Sequence, residues 1–172
     1  MPMVSAEAMQ RSLSMVAKNC GGILPAPAAL SEADQALLAQ AAALPAKSRA
    51  AMQDYALHMV LTEIWRVVGE ANRYFASEEP WVKRKNDPPR MQTILYVTAE
   101  VLRVIAIMTQ PFMPASMEKL LGLLSVPANA RKFANAEIAQ GLVARTPLPP
   151  PAPVFPRYID AEEDLLARGL AC

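Results

Sequence analysis

Leu57-His-Met-Val-Leu-Thr-Glu-Ile-Trp-Arg-Val-Val-Gly-Glu-Ala-Asn-Arg-Tyr-Phe75 is the stretch on which the fold class turns. Leu57, Val60, Leu61, Ile64, Val68, Ala71 and Phe75 fall on one stripe at helical spacing, with Arg66, Glu70 and Arg73 on another. The stripe is a core face, and it predicts a helix over about 48–75. Downstream, residues 77–89 break the pattern, and Pro88-Pro89 sit where prolines suit a helix entry. A helix over about 89–109 follows: Ile94, Leu95, Val101, Leu102, Ile105 and Met108 line one side, with Glu100 and Arg103 placed to pair on the other. The apolar spacing is near 3.6 rather than 2, so strand is the lesser reading. Pro111 and Pro114 bracket a break before a fifth, short helix over about 115–124.

Upstream, Ser31-Glu32-Ala33-Asp34 reads as an N-cap with early acidic residues, which predicts a helix over about 32–44. Ala6, Met9, Leu13 and Val16 keep helical spacing over about 3–19 until Gly21-Gly22 stops the run. Beyond about 126 the periodicity weakens, and Leu-Pro-Pro-Pro-Ala-Pro-Val-Phe-Pro at 148–156 must be extended. A short helix over about 160–168 is marginal alone. The expected fold is all-α: an antiparallel bundle of about five helices over 1–146, then a proline-rich tail and terminal helix over 147–172 that need another surface to lie on.

Composition bounds the function. A chain of 172 residues, 53% apolar, suits one domain with a substantial core. A formal charge of +1 supplies no general field for polyanions, so RNA binding would need basic groups concentrated locally. Cys20 and Cys172, with the single His58, make neither a disulfide framework nor a metal-ligand set, which fits a reducing, cytoplasmic setting without a metal. Charges interrupt every apolar helix pattern before about twenty residues, the length of a membrane span, so no membrane partner is expected. His58 lacks a partner arrangement for catalysis, and the methionines read as flexible core fillers.

Arg11-Ser-Leu-Ser-Met-Val-Ala-Lys-Asn19, Ala71-Asn-Arg-Tyr-Phe75, Glu79-Pro-Trp81, Gln110-Pro-Phe-Met-Pro114 and Val154-Phe-Pro-Arg157 together carry a likeness over nearly the whole chain. The chain resembles the C-terminal anticodon-binding domain of class I aminoacyl-tRNA synthetases, most closely the bacterial methionyl enzymes. The resemblance implies that Trp81, after Pro80, is the platform for the first anticodon base, a cytosine, and that Arg11 hydrogen-bonds near it. An unpaired base exposes a π-face and its Watson–Crick edge, so stacking plus a guanidinium is a sound pairing. The family usually has an asparagine one turn before that arginine, whereas this chain has Glu7.

Residue chemistry alone favours Trp81 as an aromatic that pins its loop, and the resemblance reverses that balance. Lys83, Arg84, Lys85 and Arg90 could contact phosphates or form a solvated surface. Asn72 and Tyr74 could touch RNA, though on a long helix they more often cap or fill the bundle edge. Trp65 reads as structural. No His-Ile-Gly-His-like or Lys-Met-Ser-Lys-Ser-like stretch occurs, so no catalytic residue and no cofactor is expected in this chain; ATP and methionine would bind a separate catalytic domain. The implied partners are the anticodon loop of methionine tRNA and a class I catalytic domain, in cis or in trans. The alternative is a helical docking or truncated subunit that works through protein contacts without binding tRNA by itself.

Overall fold

The computed structural model describes residues 3–137 and 141–155, with side chains from residue 10 onward. Seven α-helices are described: α1 (Met3–Asn19), α2 (Glu32–Ala42), α3 (Leu44–Gln53), α4 (Leu57–Glu78), α5 (Pro80–Asn86), α6 (Pro88–Thr109) and α7 (Pro114–Leu123). Two 3-10 turns, Ala128–Ala130 and Phe133–Ala136, follow. Among the described residues there is no strand; the one β feature is an isolated bridge between Ile23 and Pro147. The all-α expectation holds. The expected terminal helix over 160–168, Arg157 and the side chains of Ala6, Glu7 and Met9 lie outside what is described.

All five expected segments are helical, and the differences have local causes. The segment expected over 48–75 is two helices, because the chain turns through Tyr55 at φ 56, with Ala56 N–H bonded back to the Ala51 carbonyl. Pro45 at the second position of α3 lets that helix start immediately after α2. The buried face of α4 is Val60, Ile64, Val67, Ala71, Tyr74 and Phe75; Leu57 is exposed, since it opens the helix at the rim of the bundle. Ser31 caps α2 as expected, its hydroxyl accepting from Asp34 N–H while the Asp34 carboxylate accepts from Ser31 N–H.

The centre of the bundle is α6, on which α1, α2, α4, α5, α7 and the second 3-10 turn all pack. Glu100 and Arg103 do pair, as their spacing implies, but in the interior rather than on an exposed face, each with a 2% exposed side chain. A helix enclosed on every side has no outward face on which to put charges. Its length and hydropathy would also suit a bilayer span, but 83% of the apolar window is buried inside this protein. Glu100 and Arg103 interrupt the run, as expected, and packing on every side makes α6 a core helix.

The charged pair has a structural task. Arg103 donates to the carbonyls of Asn135 and Glu137, and Glu100 accepts from Leu142 N–H at 2.8 Å. Tyr96 adds a hydroxyl bond to the Leu142 carbonyl. These contacts tie the irregular segment after α7 to the core helix, satisfying backbone groups that no regular element pairs. Residues 147–155 then cross the bundle in extended form. Leu148 N–H donates to Gly22, Leu24 exchanges backbone bonds with Arg145 and Thr146, and Val154 is buried.

Candidate nucleic-acid interface

The segment read as a loop around Trp81 contains a short helix, α5. Glu79 sits in the left-handed region (φ 45, ψ 58), which turns the chain sharply out of α4, and its carbonyl accepts from Val82 and Lys83 N–H to start the next helix. Pro80 is buried at the first position, where a missing N–H costs nothing. Lys83, Arg84 and Lys85 occupy the last turn, favourable beside the negative end of the helix. Asp87 ends α5 and opens α6, its carboxylate accepting from Arg90 N–H.

Trp81 therefore stands on a fixed element. It is 42% exposed, and its inner side meets the buried Phe75 of α4, with ring centroids 6.1 Å apart at 59°. Arg11, on α1, lies with its guanidinium carbon 5.9 Å from the Trp81 ring centroid, within cation–π range. The two residues singled out, seventy positions apart in the sequence, are thus neighbours. They line an open groove of about 350 Å³ together with Gln10, Ser14, Met15, Lys18, Asn19, Phe75 and Arg84.

That groove has an aromatic and thioether floor and a cationic rim. Arg11, Lys18 and Arg84 are its charged members, and no carboxylate is among the described residues lining it. None of the three cations forms an ion pair with a described residue. Such a surface offers a stacking face, hydrogen-bond donors and local positive potential on a chain whose net charge is only +1. Ser14, Met15 and Lys18 escaped the sequence reading, although they follow Arg11 at the three-, four- and seven-residue intervals that share a helix face.

Other candidates stand elsewhere. Tyr74 is buried and donates its hydroxyl to Asp34 Oδ1 at 2.6 Å, so it faces the core. Burial, reinforced by that carboxylate, pushes the Tyr74 phenol well above its ordinary pKa. Asn72 lines a separate apolar slot with Trp65, Leu102, Met113 and Phe155, away from Trp81. Lys83 is half-buried, Lys85 is exposed, and neither lines the Trp81 groove.

Arg90 is not the free surface cation that its sequence position suggests. Its guanidinium binds Asp34 through both terminal nitrogens, at 2.5 and 2.9 Å, and Glu78 through Nε at 3.1 Å. Burial acts to raise the Asp34 carboxyl, but hydrogen bonds from Arg90, Tyr74 and Ser31 outweigh it and hold the group below its ordinary pKa. The Asp34 bond in turn keeps Arg90 firmly protonated.

Comparison with known proteins bears on what this groove serves. A family model described as the anticodon binding domain of methionyl tRNA ligase matches residues 24–169, a range that includes Trp81 and begins after Arg11. The methionine–tRNA ligase of Brucella suis is 60% identical over 154 residues, 90% of this chain and 30% of that protein. That of Rhizobium meliloti is 51% identical over 152 residues, 88% of this chain and 30% of its own. The crystal structure of apo Mycobacterium tuberculosis methionyl-tRNA synthetase superposes with a TM-score of 0.87 at 44% identity, covering 92% of this chain and 32% of that one. The chain thus spans about a third of the length of the relatives it matches. With most of its residues inside the family match and its fold shared with a solved relative, the chain belongs to the anticodon-binding domain family of the methionyl-tRNA ligases.

Proposed function

We propose that the chain recognises the anticodon loop of methionine tRNA in the groove between α1 and α5. The single observation that carries this is the Arg11–Trp81 contact, on a cationic rim, in a domain of this family. Trp81 stacks on an unpaired base, Arg11 adds hydrogen-bond selectivity beside it, and Lys18 and Arg84 attract the flanking phosphates. Pro80 fixes the start of α5, and Lys83 and Lys85 contribute to the local positive field. Asn72 and Tyr74 act from behind this surface, as parts of the fold.

Under this reading the chain supplies placement rather than chemistry. A class I catalytic portion, in cis or in trans and in the cytoplasm, binds ATP and methionine and carries out the ligation. Binding energy gained at the anticodon orients the distant acceptor end, which lowers the entropic part of that portion's barrier.

Titration of the chain with a stem-loop bearing the cytosine-adenine-uracil anticodon, against a scrambled loop, tests the reading. Trp81→Ala is expected to cost about 1–3 kcal/mol of affinity for the cognate loop, the usual value for one stacked base. Equal loss on both loops would reduce Trp81 to a structural role. Affinity should also fall linearly on a log–log plot against salt, and a flat response would remove the cationic rim from the account.

A second reading has its own support. At the end of α4 remote from Trp81, Met52, Leu57, Phe112 and Phe133 line an apolar groove of about 520 Å³, and Tyr55 beside it is 89% exposed. Exposed apolar surface of this kind suits a protein contact. A chain that captures a methionyl-tRNA ligase catalytic portion through this end, yet discriminates no anticodon by itself, would be a docking subunit.

A further inference from the structure

Helix α5 has seven residues, too few to hold a helix or an orientation in isolation. It is entered through Glu79, a non-glycine residue in the left-handed region, a conformation that persists only where its surroundings impose it. What holds its two ends is therefore what aims Trp81. Both ends lead to one residue. Before α5, Glu78 accepts from Arg90 Nε at 3.1 Å, and its carboxylate lies 2.9 Å from Nη2 in an ion pair. After it, Asp87 accepts from the Arg90 backbone N–H at 3.1 Å. Arg90 is in turn anchored on Asp34, which is fully buried and held by Tyr74 and by the N-terminus of α2.

We propose that Arg90 is a positioning residue for Trp81: its side chain fixes the end of α4 from which α5 departs, its backbone N–H caps the junction that follows α5, and the side-chain anchor sets where the indole stands beneath Arg11. Its side chain is 17% exposed, and every nitrogen of the guanidinium already donates to a protein oxygen, so it works through α5 and not by touching phosphate. Glu78 is the second half of the device. Although it adds negative charge to a domain read as RNA-binding, it strengthens binding by holding α5 in register.

The consequence for binding rests on the reading of the Trp81 groove as the anticodon seat, whereas the consequence for Trp81 itself does not. In a Trp65→Phe background Trp81 is the only indole, since the chain has two tryptophans. Acrylamide quenching of its fluorescence, measured on the free protein, should rise in both Arg90→Gln and Glu78→Gln. With the cognate stem-loop each variant should bind about tenfold more weakly, an effect within the range of coupling inside one network. That loss should vanish in a Trp81→Ala background.

Glu78→Gln is the sharper arm, because removing a carboxylate would by electrostatics alone tighten RNA binding. It also leaves the Asp34–Arg90 pair in place, so it carries the test should Arg90→Gln not fold. Unchanged quenching in Glu78→Gln overturns the proposal whatever the RNA shows. An Arg90→Gln loss that persists in the Trp81→Ala background, with a shallower salt slope, also overturns it, by making Arg90 a phosphate contact. If Trp81→Ala itself leaves stem-loop binding intact, the anticodon reading fails, and the quenching result still decides whether Arg90 positions the ring.

Discussion

Arg90 and Arg103 are carried by the same helix and both bind carboxylates, yet they hold different things. Arg103 and Glu100 lie three residues apart inside the bundle, and their remaining hydrogen bonds go to the main chain of the irregular segment after α7. Arg90 sits at the rim and joins α2, α4 and the two ends of α5. The inner pair supplies polar partners to a stretch that has only short 3-10 turns of its own; the outer cluster, as proposed, sets the stance of a short surface helix. Arg11 and Arg84 form a third category, cations left without an ion-pair partner among the described residues beside an exposed ring. On the proposed reading, stability, aim and recognition are divided among arginines of one small domain.

The largest effect should come from breaking the inner pair. Arg103→Met leaves Glu100 charged and buried and strips two carbonyls of their donor, so a loss of about 3–5 kcal/mol in urea unfolding is expected. Amide exchange should accelerate first in the segment after α7. Replacing both charges with apolar residues will not restore stability here, because the carbonyls of Asn135 and Glu137 and the N–H of Leu142 would still lose their partners. A double variant as stable as the parent would show that the pair is incidental to that segment.

The outer cluster should break in a pH-dependent way. Asp34 has a folded-state pKa held below its unfolded value, which is about 3.9. Its contribution is therefore fully present above that value and is lost as pH falls through the lower folded one. Asp34→Asn is expected to cost about 1.5–3 kcal/mol at neutral pH, the scale of hydrogen bonds to a charged group. The difference from the parent should shrink once the pH drops below about 4. A gap that stays constant between pH 7 and pH 3 would mean that the carboxylate charge is not what binds Arg90 and Tyr74.

These two clusters also mark where the sequence could and could not be read. Helix existence was legible wherever apolar residues recur at helical spacing, and the Ser31 cap, the glycine stop after Asn19 and the prolines before α6 and α7 marked most boundaries. The turn at Tyr55 was not, because Gln53-Asp-Tyr-Ala holds neither glycine nor proline, yet Tyr55 takes the left-handed region where α3 meets α4. Trp81 and Arg11, and their meeting at one base, emerged through resemblance; nothing in the local sequence pattern links α1 to α5. Arg90 was misread for the same reason. Beside Lys83, Arg84 and Lys85 it looks like one more surface cation, and its carboxylates come from α2 and from the end of α4, contacts that no periodicity within one segment reveals.

The smallest effect expected is at Lys47 and Glu63, which bridge α3 and α4 at 2.8 Å with Arg66 sharing the carboxylate. The hydrogen bond from Lys47 heads the interactions that hold the Glu63 carboxyl below its ordinary pKa, yet the lysine side chain is 44% exposed. Water and salt screen such a pair, so Lys47→Met should cost about 0.2–1 kcal/mol, less still at high ionic strength. Arg66 remains to accompany Glu63, which further softens the loss. Charge alone therefore does not rank these contacts: an ion pair of similar length at Arg103 is expected to matter several times more, because there the alternative to pairing is a buried charge and an unsatisfied backbone, whereas here it is water. A Lys47→Met loss as large as that of Arg103→Met would break this ordering and place the α3–α4 corner, with its strained Tyr55, among the determinants of the whole fold.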